Sequence, residues 1–142
     1  MNRTDMGGSV IVGVGVDAVD IARFRATLER TPSMRTRLFT ATELEYVATL
    51  ADPVPSLAVR FAAREAVMKA MHIGLGSFDF HDVEVQRDES GAPRVILSGR
   101  AAARAAARGV TDWHVSLTHS DTTAIAYVVA VGVLAVTDGD SR

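Results

Sequence analysis

Leu57-Ala58-Val59-Arg60-Phe61-Ala62-Ala63-Arg64-Glu65-Ala66-Val67-Met68-Lys69-Ala70-Met71 is the most strongly helical stretch of the chain. The break Pro53-Val54-Pro55 precedes it, and Gly74 and Gly76 close it, so the spacing predicts a helix over about Ser56–Met71. At about 100° per residue, Val59, Ala63, Ala66, Val67 and Ala70 share one apolar face, and Leu57, Phe61 and Met68 form a second. Arg60 with Arg64, and Glu65 with Lys69, fall in narrow strips between those faces. A helix apolar on two sides is largely buried, and its charges then need partners. Glu65 and Lys69 stand in the favourable i,i+4 order, worth only about 0.2–0.5 kcal/mol on an exposed helix. Two readings stay open: a plain salt bridge, or a metal-binding Glu65 with Lys69 and the arginines facing phosphates.

Upstream, a valine-rich strand is predicted over about Ser9–Val16, followed by a helix over about Val19–Arg30 that Pro32 stops. Thr40 with Glu43 has capping-box spacing and opens a helix over 41–51. Strict alternation places Val10, Val12, Val14 and Val16 on one side of the first strand, and Ile11, Gly13, Gly15 and Asp17 on the other. Two glycines on one face either admit a closely packed helix, with Asp17 capping the next helix, or leave a carboxylate beside space for a ligand. Gly13-Val14-Gly15 lacks the third glycine of a dinucleotide fingerprint.

Downstream, Asp82–Arg87 and Arg94–Leu97 alternate as strands around the turn Glu89-Ser90-Gly91-Ala92. Ser98 is expected to cap an alanine-rich helix over 99–108 that ends at Gly109. Strands over about Trp113–Thr118 and Thr123–Val133 flank the turn His119–Thr122. The longest apolar run, Ala124–Val136, falls well short of the roughly 20 residues that span a bilayer, and is expected to be a strand buried on both faces. These elements make an α+β fold, helices packed on a small antiparallel sheet, in a single domain over 1–142 with 10–136 ordered and loose ends.

The chain has 142 residues, 48% hydrophobic and 23% charged, with no cysteine. Disulfides, cysteine-zinc sites, iron–sulfur clusters and thiol nucleophiles are thereby excluded. A net charge of −2 gives no reason to expect nucleic acid or a membrane as partner. Residues 1–9 lack the layout of a signal peptide, so the cytoplasm is the expected compartment. Lys69 is the only lysine among 15 basic residues. Arg23, Arg25, Arg30, Arg35 and Arg37 concentrate positive charge on the first helix and beyond it, as a solvated face or as a docking surface for an acidic partner. HExxH, the P-loop and the GxSxG elbow are all absent. His72, His114 and His119 each read, taken singly, as structural histidines, and His81-Asp82 as a polar strand entrance.

Several segments, in order, resemble the small holo-acyl-carrier-protein synthases of the 4′-phosphopantetheinyl transferase family. They are Gly13-Val14-Gly15-Val16-Asp17 with Asp20-Ile21 and Arg23; Phe39-Thr40 with Glu43-Leu44; and Arg60-Phe61-Ala62-Ala63-Arg64-Glu65-Ala66 with Lys69-Ala70. Gly91-Ala92-Pro93 and His114-Val115-Ser116-Leu117-Thr118-His119 complete the set.

The resemblance implies transfer of 4′-phosphopantetheine from coenzyme A to a serine of apo acyl carrier protein. It implies Asp17 and Glu65 as magnesium ligands, with Glu65, Asp17 and Lys69 as the catalytic group, and Glu65 activating the serine directly or through a bound water. Arg60, Arg64, Lys69 and His119 are implied as coenzyme A-binding residues, Arg23 and Arg30 as carrier-protein contacts, and a homotrimer with shared active sites as the assembly. Mg²⁺ takes one or two carboxylates plus phosphate oxygens and water, which suits two acids and a pyrophosphate. Two departures stand out: Arg64 replaces the family's usual lysine, and Met71-His72 stands where the family tends to place glycine. A non-catalytic coenzyme A- or nucleotide-binding module, or an interaction protein docking an acidic partner, are the competing readings.

Overall fold

The computed structural model describes residues 8–133. Of the loose ends expected at 1–9 and 138–142, residues 1–7 and 138–142 lie outside them, as do the last three residues of the apolar run, while Ser9 already belongs to the first strand. The chain runs β1 (Ser9–Asp20), α1 (Ile21–Arg30), α2 (Met34–Leu38), α3 (Ala41–Val47) and α4 (Val54–Ala70). A short 3₁₀ turn at Phe80–Asp82 leads into β2 (Val83–Arg87), β3 (Pro93–Leu97), α5 (Gly99–Ala107), β4 (Val110–His119) and β5 (Thr123–Val133). Strands β1, β5 and β4 form one antiparallel sheet in that order, and β2–β3 form a separate hairpin. The α+β expectation holds, and solved structures described below share the fold.

Helix α4 lies against the sheet, and the two glycines of β1 are what let it come so near. A Cβ at Gly13 would stand 1.8 Å from the carbonyl oxygen of Ala70, and one at Gly15 the same 1.8 Å from that of Ala66. The inner row of β5 is correspondingly slim, with Ala124, Ala126, Val128 and Ala130 all fully buried. The glycines therefore admit a helix. A bulge between Ile11 and Gly13 breaks the expected alternation. It puts Ile11 with Val14 and Val16 on the exposed side, while Val12 packs toward the core. Asp17 is not a cap: β1 continues to Asp20, whose Oδ1 accepts from the Arg23 N–H at 2.8 Å and opens α1.

The two apolar faces of α4 divide along the helix axis, not around it. Val54, Leu57, Ala58 and Val59 belong to a core shared with Ile21, Phe24, Leu28, Leu38, Phe39 and Val47 of α1–α3. Ala62, Ala63, Ala66, Val67, Met68, Ala70 and Met71 belong to the core beneath the sheet, the β2–β3 hairpin and α5. A 17-residue helix is roughly 26 Å long, enough to enter both.

The capping box of α3 forms as expected. The Ser98 cap expected for α5 does not form: Ser98 makes no side-chain cap bond, and Asp82, distant in sequence, accepts from the N–H groups of Arg100 and Ala101 at 3.0 and 3.3 Å. α2 was not expected; its five residues carry little periodicity. The apolar strand β5 is buried on one face only, since Ile125 and Tyr127 are 36% and 43% exposed on the other.

Candidate active site

Asp17 ends the glycine-lined row of β1, and Glu65 and Lys69 stand one turn apart on the stretch of α4 that crosses it. Lys69 Nζ donates to the Asp17 carboxylate at 3.1 Å and to the Val16 carbonyl at 3.0 Å. The Glu65–Lys69 salt bridge considered from the spacing does not form; the lysine reaches across to the strand instead. Glu65 is half-buried and faces the same space as Asp17. Burial first, and then the neighbouring Asp17 charge, push its carboxyl above the usual range, while Lys69 pulls the other way.

Both carboxylates line a cavity of about 390 Å³ together with Asp20, Arg23, Phe24 and Phe61. A second, more apolar cavity of about 560 Å³ meets it at Glu65, Phe61 and Met34, and is walled by Arg37, Leu38, Leu75, Phe80 and His81. Two acids sharing a half-buried space repel each other, and Lys69 offsets only part of that repulsion. Among the described residues no group of three or more His, Cys, Asp or Glu is placed to hold a metal, so any cation here must complete its shell with substrate and water. That is the coordination habit of Mg²⁺, and the oxygen-only donor pair fits it.

A family model described as the 4′-phosphopantetheinyl transferase superfamily matches residues 13–128. The chain belongs to this superfamily. Holo-[acyl-carrier-protein] synthase of Micrococcus luteus is 50% identical over 123 residues, 85% of this chain and 92% of that protein. Among solved structures, holo-[acyl-carrier-protein] synthase of Neisseria meningitidis superposes with a TM-score of 0.79 at 28% identity, covering 85% of this chain and 98% of that one. The Bacillus anthracis synthase, solved in complex with CoA (3′,5′-ADP), gives 0.72 at 31% identity, over 86% and 97% of the two chains.

Within this superfamily fold, the remaining residues singled out from sequence divide into three groups. Arg23 lines the smaller cavity, and Arg30 follows seven residues later on the same exposed face of α1. His119 shares the inner face of the sheet but lies on β4, with β5 between it and β1. It is exposed and touches neither cavity of its own chain.

Arg64 corrects the sequence reading, because its guanidinium is not offered to a ligand, whereas Arg60 is buried with its Nε left without a partner. Arg64 is fully buried and its guanidinium is spent on Glu43 and on the carbonyls of Phe80 and Arg60. Arg60 is 2% exposed, donates to Ser56, and stacks over the Tyr46 ring at 4.8 Å. Burial pulls its pKa below the usual arginine value, against the pull of Glu43. Their strip on α4 looked free only because the sequence does not show α3 and the hairpin closing over it. Glu43 was the missed partner: its capping-box position accounted for it locally, and no spacing links it to Arg64, 21 residues on.

Proposed function

We propose that this chain is a holo-acyl-carrier-protein synthase: it transfers 4′-phosphopantetheine from coenzyme A to a serine of apo acyl carrier protein and releases adenosine 3′,5′-bisphosphate. The observation that carries the reading is the meeting of Asp17 and Glu65 at one cavity, with Lys69 bonded to Asp17, in a chain half identical to such a synthase. Asp17 and Glu65 would hold the Mg²⁺. When bound, the ion neutralises and orients the pyrophosphate oxygens.

The rest falls to side chains, for phosphoryl transfer depends on positioning and charge neutralisation. The serine oxygen attacks the β-phosphorus, and the bond to the oxygen of the departing adenosine bisphosphate breaks. Glu65 takes the serine proton, directly or through a bound water. Lys69, tethered to the Val16 carbonyl, stabilises the charge that develops on the leaving phosphate. The larger cavity beyond Glu65, lined by Leu38, Phe61, Leu75 and Phe80 as well as Arg37, Asp79 and His81, offers room for the pantetheine arm. Arg23 and Arg30 give the acidic carrier a basic face beside the cavity.

The assembly we propose is a homotrimer. Ile11, Val14, Val16, Ile125 and Tyr127 leave the outer sheet face apolar and exposed, and His119 sits too far across the sheet to serve its own cavity. A neighbouring copy's His119 is the group we place at the phosphates. Among the described residues no helix is long and apolar enough to cross a membrane; we place the enzyme in the cytoplasm.

The test is intact-protein mass spectrometry of apo acyl carrier protein incubated with the enzyme, coenzyme A and Mg²⁺. A gain of one phosphopantetheine, lost with EDTA and in Asp17→Ala and Glu65→Ala, is the expected result. Coenzyme A binding without any gain would leave a binding module and overturn the reading.

A further inference from the structure

Arg64 immediately precedes Glu65, yet it points the other way, into the only fully buried ion pair among the described residues. Its two terminal nitrogens take the two oxygens of Glu43, while Nε donates to the Phe80 carbonyl at 2.9 Å. The Glu43 carboxylate accepts in addition from the Thr40 and Val85 N–H groups, each at 3.0 Å. One pair therefore ties α4 to α3, to the 3₁₀ turn and to β2. The Phe39 ring lies 5.1 Å from the guanidinium carbon and shields it.

Two of these attachments bear on the site. Phe80, whose carbonyl Arg64 holds, lines the 560 Å³ cavity, and so does Glu65, the next residue along α4. Arg64 thus joins the backbone carrying the acid to the backbone carrying the opposite wall. The lysine usual at this position in the family is a single point charge and cannot both fork onto a carboxylate and reach a third acceptor in the same plane, so Arg64 gives this chain an attachment to Phe80 that a lysine would lack. A buried pair is seldom kept for stability, since apolar replacements are often neutral or better.

We propose that the Glu43–Arg64 pair is a positioning device: it sets the distance between Glu65 and the Phe80 wall, and with it the fit of the substrate arm. Its kinetic consequence rests on the transferase reading above. Arg64→Lys and the paired variant Glu43→Gln/Arg64→Met test it against wild type. The readouts are cooperative melting, amide hydrogen exchange over residues 78–85, kcat and KM for coenzyme A, and the Mg²⁺ concentration for half-maximal rate.

Both variants should melt cooperatively and exchange faster over 78–85. A shift of about 1 Å at a reacting group can cost on the order of a hundredfold in rate, and the paired variant should approach that loss in kcat/KM. Arg64→Lys keeps the charge on Glu43 and loses the Nε bond to Phe80, so its kcat/KM should fall measurably but by less than that of the paired variant. Either variant, folded and with wild-type exchange and kcat/KM, overturns the proposal. Should the paired variant fail to fold, Arg64→Lys decides alone. If wild type transfers nothing, the transferase reading falls, and hydrogen exchange still decides whether the pair holds the wall.

Discussion

Glu65 carries the least comfortable charge of the site, because burial and Asp17 both disfavour it and Lys69 offsets only part. The folded state therefore holds the Glu65 proton to higher pH than the unfolded chain does. The resulting stability is fully present on the acid side and is lost as pH rises through the raised pKa. The melting temperature of wild type relative to Glu65→Gln should accordingly fall as pH rises through that window. Asp17→Asn removes the nearby charge, and carboxyl NMR titration should find the Glu65 pKa lower than in wild type. An unchanged value would assign the whole shift to burial.

Helix α4 and strand β1 approach so closely that the contact is backbone against backbone. Gly15→Ala would drive a Cβ into the Ala66 carbonyl, which the helix cannot easily withdraw. Overpacking of this kind costs about 1–3 kcal/mol, and urea midpoints should place Gly15→Ala at the upper end. Gly74→Ala, with nothing within 4 Å of its Cβ, should stay within about 0.5 kcal/mol of wild type and serves as the control. At the C-terminal end of α4, His72 adopts φ +56°, the left-handed conformation that glycine favours. His72→Gly should therefore stabilise the fold by up to about 1 kcal/mol, read in the same urea series. A destabilised His72→Gly would mean the histidine side chain contributes more than its backbone strain costs.

At the scale of the molecule, the exposed apolar sheet face and the remote His119 make one prediction together. Asp17→Ala and His119→Ala variants, each inactive alone, should regain part of the transfer activity when mixed and reassembled, because some cavities then receive an intact set from two chains. Absence of recovery, with mixed trimers demonstrated by native mass spectrometry, would place both residues in a site within one chain. Val16→Asp, on the outer face, should shift the sedimentation profile toward monomer. Retention of the wild-type profile would show that this face is not the interface.

Much of this was legible in the chain because local patterns carry it. The α4 segment, the Thr40–Glu43 box, the β2–β3 hairpin and the glycine pair of β1 are set by spacing, capping and steric rules that act over a few residues. The ordered motifs from Gly13 to His119 pointed to the transferase superfamily, and they marked Asp17, Glu65 and Lys69 before any coordinates. Partner choice was not legible, because it depends on which surfaces meet after collapse. Lys69 could pair within its own helix or across to Asp17, and only the approach of β1 decided it. Arg64 could face a phosphate or the interior, and it is the closing of α3 and β2 over α4 that commits it to Glu43. The sequence by itself determined the elements and the chemical types at the site. The tertiary structure alone decided which charges are spent on holding the fold and which stay open to a substrate, because burial makes every unpaired charge costly and only the packed fold supplies the partners.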